Sequence, residues 1–150
     1  MILLVDDDLG STRHWIGLIE DALKQPVRRT DKVQIAYREA AEQSTRLIAN
    51  GTRDGMFKLA ILDVMMRAPG ENEWVPHSQG GAITGLVLAQ RLRALRGFEK
   101  IPIIFLTAQS DESVVWDLKE FPQPSANFNK GSVMPDDLLD QIREFLRLQP

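Results

Sequence analysis

Lys58-Leu59-Ala60-Ile61-Leu62-Asp63 is a short apolar run that ends on one acid. A continuous run of this length reads as a strand buried on both faces. A carboxylate has no reason to close such a strand unless it sits at the strand's open end, where its charge can be compensated. What else arrives at that end decides both the fold and the chemistry.

Upstream, Ile2 to Val5 is a second continuous apolar run, closed by Asp6-Asp7-Asp8, and reads as a buried strand opening into a loop. Ser11 can cap a helix in which Trp15, Leu18, Ile19, Ala22 and Leu23 make one apolar stripe, ended by Pro26. Val33-Gln34-Ile35-Ala36-Tyr37 alternates as a strand does. Glu39 to Asn50 is Ala-rich and helical, with Gly51 as its stop.

Downstream of Asp63 the stretch from Met66 to Gly81 is irregular. Ile83 to Leu95 is helical, with Leu86, Ala89, Leu92 and Leu95 facing inward and Gly97 closing it. Ile101 to Leu106 is another apolar strand, its Pro102 near the start where a missing N–H costs little, and it ends on Thr107. Asp111 to Glu120 reads as a helix broken by Phe121-Pro122-Gln123-Pro124. Ala126 to Asn129 is a minimal strand ending on Lys130. Pro135 suits a first helical position, and Leu138, Leu139, Ile142, Phe145 and Leu146 form the last buried stripe.

Strand and helix thus alternate five times, which implies a parallel sheet with helices on both faces. In such sheets the ligand site lies beyond the carboxyl ends of the strands. The residues at those ends are Asp6, Asp7 and Asp8, then Asp63, Thr107 and Lys130. They are expected to meet in one crevice.

The chain of 150 residues is enough for one domain with one real core. Its 43% hydrophobic and 26% charged residues are those of an ordinary globular protein. A net charge of -3 without a basic patch argues against nucleic-acid binding; Arg28-Arg29 and Arg91, Arg93 and Arg96 are isolated clusters. The absence of cysteine excludes disulfides, thiolate metal sites and Cys nucleophiles. No apolar run approaches the ~18 residues that span a bilayer. Five apolar residues before three aspartates make no signal peptide, so no membrane association and a cytoplasmic location are expected.

Carboxylates within a few ångströms repel, so protons or a cation must compensate them. Mg²⁺ suits an all-oxygen set and is commonly held by one or two carboxylates plus a phosphate. Zn²⁺ would want His or Cys. A lysine can pair with a carboxylate or an incoming phosphoryl group, and a threonine hydroxyl can bond a phosphoryl oxygen. A carboxylate nucleophile, a metal, a lysine and a hydroxyl are the parts that take up a phosphoryl group as an acyl phosphate. Asp63 is the best placed nucleophile.

The motifs Ile-Leu-Leu-Val-Asp-Asp-Asp (2–8), Leu-Ala-Ile-Leu-Asp-Val-Met-Met (59–66), Ile-Pro-Ile-Ile-Phe-Leu-Thr-Ala (101–108) and Lys130 resemble the receiver domain of two-component response regulators. The resemblance spans almost the whole chain and implies a single receiver domain over 1–150. Its fold would be flavodoxin-like (CheY-like), (βα)5 and doubly wound, with strand order 2-1-3-4-5. It implies that Asp63 accepts phosphate from a histidine kinase or phosphotransfer protein. Asp7 and Asp63 would bind Mg²⁺ directly, Asp6 largely through water, and the backbone carbonyl of Met65 would complete the protein ligands. Thr107 and Lys130 would hold the phosphoryl oxygens, with Ala108 leaving room for entry. Apart from its own phosphorylation and dephosphorylation such a domain is not an enzyme. It acts through protein contacts, on the face of the fourth helix, fifth strand and last helix, or here through the 66–82 loop. A homodimer is compatible with this.

Three features depart from the family. Lys130 is followed by Gly131, where the family usually has proline. Asn127 occupies the usual place of the switch aromatic, and Phe128, one position later, should point to the opposite side. The segment from Arg67 to Thr84 is about a dozen residues longer than usual, and loops of such length are commonly functional. It carries Trp74, Val75, Pro76 and His77. It reads either as an insertion packed down by Trp74 or as a lid or partner-docking element; His77 is not expected to bind metal. Gly80-Gly81-Ala82-Ile83-Thr84-Gly85 follows a loop and is no nucleotide fingerprint. Two other functions compete: a receiver-like module that docks without phosphorylation, and an aspartyl-phosphate phosphatase. The latter wants an acid two residues after its nucleophile, where Met65 stands.

Overall fold

The computed structural model describes residues 1–66, 74, 79, 83–108 and 111–148, with backbone alone for 9–12. Its elements alternate as β1 (Ile2–Val5), α1 (Leu9–Leu23), β2 (Val27–Thr30), α2 (Val33–Asn50), β3 (Leu59–Asp63), α3 (Thr84–Arg93), β4 (Ile103–Thr107), α4 (Glu112–Glu120), β5 (Ser125–Asn129) and α5 (Pro135–Arg147). All neighbouring strands pair in parallel, and the order across the sheet is 2-1-3-4-5, as the resemblance implied.

The pleat divides each apolar strand between two cores. Leu3, Val5, Ala60, Leu62, Ile103 and Phe105 face one way, toward apolar residues of α2, α3 and α4. Ile2, Leu4, Leu59, Ile61, Ile104 and Leu106 face the other, toward α1 and α5. Strands apolar on both faces need helices on both sides, which explains why β1, β3 and β4 are continuous apolar runs rather than alternating ones. Phe105 meets Phe121 edge-on, with ring centroids 5.3 Å apart.

Two sequence expectations move. The second strand is Val27–Thr30, and the alternating Val33–Tyr37 segment forms the opening turn of α2. Val33, Ala36 and Ala40 are buried, a helical spacing that competes with the period-two pattern and wins. β2 was obscured because an edge strand of Val-Arg-Arg-Thr has one apolar residue and three half-buried positions. Arg28 is retained there by Glu39 of α2, at 2.6 Å. In α1, Ser11 is not the cap, because the helix already begins at Leu9. The inward face is Ile19 with Trp15, Ile16 and Leu23; Leu18 is 38% exposed, and Ala22 is exposed as well.

Other boundaries follow their signals. Gly51 ends α2 at φ 68°, donating its N–H to the Leu47 carbonyl at 2.8 Å. Asp111 caps α4 by accepting the Ser113 N–H at 2.9 Å. Of the long 66–82 segment only Met66, Trp74 and Gln79 are described, so His77 lies outside the described residues. Trp74 is 1% exposed. Its ring meets Tyr37 of α2 edge-on, with centroids 6.1 Å apart, and carries the Arg91 guanidinium of α3 over its face at 4.0 Å. One residue of the insertion is therefore anchored between α2 and α3.

Candidate functional site

β1 and β3 are adjacent and in register, Val5 opposite Leu62, so the residues that follow them leave the sheet side by side. Asp6, Asp7 and Asp63 each present a carboxylate oxygen, and these atoms lie within 4.8 Å of one another. Asp6 and Asp63 are buried, whereas Asp7 is exposed at the outer side of the group. Asp6 is held by its own backbone: its N–H donates to the Thr30 carbonyl at 3.2 Å, and its Oδ1 accepts the Asp8 N–H at 2.8 Å. Asp8 belongs to that turn and is exposed.

Lys130 enters from the end of β5. Its Nζ lies 2.6 Å from Asp6 Oδ2 and 3.3 Å from Asp63 Oδ2. The contact to Asp63 is also a directed hydrogen bond. That to Asp6 is a close charge pair without hydrogen-bond alignment, leaving Asp6 Oδ2 buried without a directed donor. Burial alone would lower the Lys130 pKa, but the two carboxylates outweigh it and raise it. The Asp63 pKa is pushed up to about 7, first by burial and then by the Asp6 charge, against the opposing pull of Lys130. A buried carboxylate pair sharing one ammonium is short of positive charge at neutral pH.

Thr107 closes β4, one step beyond Leu106, which pairs with Asp63. It is buried, and its carbonyl accepts the Lys130 N–H at 2.8 Å. The lysine is thus delivered by a backbone bond between the ends of β4 and β5. The turn after it is closed by Asn129, whose Oδ1 accepts the Gly131 N–H at 2.8 Å and whose carbonyl accepts from Ser132 and Val133. A proline at 131 would have no N–H to give. Asn129 supplies the closure of the turn that Gly131 enters.

Phe128 packs against the α1 and α5 core. Asn127 is opposite Phe105 in register, on the other face of the strand, toward α4. The expected reversal of the aromatic is therefore present.

Three contributors were not assigned from the sequence. Thr84, fully buried, donates its Oγ1 to the Met66 carbonyl at 2.8 Å, and the Gly85 N–H donates to the Val64 carbonyl at 3.0 Å. A Cβ built at Gly85 would overlap the Asp63 carbonyl oxygen. Asn129 is the third. An Asn before Lys-Gly is a readable turn signal, but the Thr84 contact spans the long insertion and has no local signature.

The donor set fits a hard divalent cation. Three carboxylates converge, and no His or Cys joins them among the described residues. Asp6, Asp7 and Asp63 are the side chains that would hold it.

This sheet order, with acids at the ends of β1 and β3, a hydroxyl at β4 and a lysine at β5, defines a receiver-domain fold. Solved structures with that fold match nearly the whole chain. Chemotaxis protein CheY4 of Vibrio cholerae superposes with a TM-score of 0.67 at 19% identity, covering 96% of each chain. The signal receiver domain of a modulated diguanylate cyclase from Desulfovibrio desulfuricans gives 0.66 at 22% identity, over 97% of this chain and 92% of that one. The receiver domain of the histidine kinase CKI1 from Arabidopsis thaliana, complexed with Mg²⁺ and BeF3⁻, gives 0.64 at 19% identity, over 96% and 87%. No protein-family model matches the chain, and no curated protein does.

Proposed function

We propose that the protein is a phosphoacceptor receiver domain of a two-component system, taking a phosphoryl group onto Asp63 from a histidine kinase or phosphotransfer protein. The observation that carries this reading is the convergence of the Asp6, Asp7 and Asp63 carboxylates within 4.8 Å, with Lys130 bonded to Asp63. In the reaction a carboxylate oxygen of Asp63 attacks phosphorus. The P–N bond of the donor phosphohistidine breaks, and its electron pair leaves with the imidazole. An acyl phosphate remains on Asp63, and attack by water later returns inorganic phosphate.

Each residue has a part that its position allows. Asp7 and Asp63 would hold the cation directly, and Asp6 largely through water. Mg²⁺ held there would supply positive charge that favours the ionised Asp63 and neutralises phosphoryl oxygens. Lys130 swings its ammonium between the acids and the incoming phosphoryl group, and the hydroxyl of Thr107 bonds another phosphoryl oxygen. The neighbouring carbonyl of Met65 would complete the protein ligands. The signal leaves through a protein contact, on the α4, β5 and α5 face or through the 66–82 segment. A cytoplasmic location fits this reading, and no helix among the described residues is long and apolar enough to cross a membrane.

Incubation with acetyl phosphate or phosphoramidate and Mg²⁺ should add one phosphate to the intact mass of the wild type and none to Asp63→Asn. An unchanged wild-type mass would overturn the reading. One observation favours a second reading, docking without phosphorylation: Lys130 pairs with both buried acids and ties them to the end of β5. Partner binding that is equal with and without phosphorylation would support it.

A further inference from the structure

The segment that carries Asp63 does not end at Asp63. It runs on through Val64, Met65 and Met66 before the long insertion begins, and then the chain returns at Thr84. Three contacts tie these two stretches together, and a fourth holds Val64 to β4. The Val64 carbonyl accepts the Gly85 N–H at 3.0 Å, and the Val64 N–H donates to the Leu106 carbonyl at 3.3 Å. The Met66 carbonyl accepts the Thr84 hydroxyl at 2.8 Å, in a bond that is buried and spans 18 residues. Finally, Gly85 lies so close to the Asp63 carbonyl that any β-carbon there would force the backbone apart.

These contacts act on particular peptide planes. A peptide unit is flat, so holding a carbonyl fixes the plane to which it belongs. The plane after Val64 is held by Gly85, and the plane after Met66 is held by Thr84. The plane between them carries the Met65 carbonyl. That plane is therefore flanked on both sides by units whose carbonyls are bonded, although Met65 itself is 48% exposed. Thr84 itself is 0% exposed and its hydroxyl bonds a backbone carbonyl, so it acts through the backbone.

We propose that Thr84 is a positioning residue for the metal site: with Gly85 it clamps the base of the insertion shut and fixes the 64–66 backbone beside Asp63. The clamp makes the site's geometry independent of the length of the segment between Met66 and Thr84. It explains how a loop about a dozen residues longer than usual can start three residues after the proposed nucleophile without loosening it. This rests on the metal-binding reading of the three acids, and it extends that reading to a residue outside them.

The test is Mg²⁺ affinity of the unphosphorylated protein, measured by calorimetry with Mg²⁺ alone. Groups that orient metal ligands from behind typically contribute about tenfold or more in affinity. Thr84→Val keeps the volume and removes the hydroxyl, and should weaken Mg²⁺ binding about tenfold; Thr84→Ser should keep wild-type affinity. If Thr84→Val does not fold, Thr84→Ala against Thr84→Ser makes the same comparison at smaller volume. Val and Ala variants that bind Mg²⁺ like the wild type would overturn the clamp. So would a Ser variant as weak as Ala, since the methyl rather than the hydroxyl would then matter. A wild type that binds no Mg²⁺ would instead overturn the metal reading itself.

Discussion

The Lys130 ammonium lies nearer to Asp6, at 2.6 Å, than to Asp63, at 3.3 Å. The lysine is thus shared between Asp6 and the proposed nucleophile. Removing it leaves two buried carboxylates facing each other. Breaking a buried pair in this way costs about 3 kcal/mol. Lys130→Ala should therefore be destabilised by about that amount at pH 8 without metal, and Mg²⁺ should restore much of the loss. Urea unfolding with and without Mg²⁺ checks this; a loss that Mg²⁺ leaves untouched would contradict the shared-charge account.

Asp63 gives a pH dependence whose sign is fixed by the direction of its shift. Its pKa rises from 3.8 in the unfolded chain to about 7 in the folded one, so between those values the folded state binds the extra proton. Stability then falls as pH rises from about 4 to about 7. Asp63→Asn removes the ionisation and should be the more stable protein at pH 8, by on the order of 4 kcal/mol, with the gap closing toward pH 4. Unfolding curves of both proteins across that range, without metal, decide the matter. A gap that grows toward acid would reverse the sign.

The same proton competes with the metal. Apparent Mg²⁺ affinity should climb from pH 5.5 to about pH 7 and level off above it, because below the Asp63 pKa a proton must leave before the ion enters. Calorimetric titrations at several pH values measure this. A flat profile would mean that Asp63 is not a ligand.

Trp74 is anchored by Tyr37 and by Arg91 at 4.0 Å. Trp74→Ala should cost about 3 kcal/mol, in the range of large aromatic deletions from a core. Arg91→Ala should cost under about 1 kcal/mol. Phosphorylation of the folded Trp74→Ala protein should stay within about twofold of wild type, about 0.4 kcal/mol. A large rate loss at full foldedness would make the anchored segment part of the site's chemistry.

Much of this was legible in the sequence, for physical reasons that can be named. Continuous apolar strands such as Leu59–Leu62 announce a two-faced sheet, and Asp63 at their end announces the side on which chemistry sits. β2 was hidden because an edge strand such as Val27–Thr30 is half exposed and carries Arg28, whose partner Glu39 lies on a helix 11 residues away. Val33, Ile35 and Tyr37 imitated a strand through alternation alone. The acids could be located from local runs, but their pairing with Lys130 joins strand ends 67 residues apart. The Thr84 contact to Met66 closes over an insertion and depends on tertiary packing, to which no local pattern corresponds.

The central claim is that Asp63, among several acids at one end of the sheet, forms the acyl phosphate. Protein phosphorylated with acetyl phosphate and Mg²⁺ can be reduced with borohydride, which converts an aspartyl phosphate to homoserine, and then digested and sequenced by mass spectrometry. The account predicts homoserine at position 63 in the wild type, and none after Asp63→Asn. Homoserine at position 6, 7 or 8 instead, or no modified peptide at all, would contradict it.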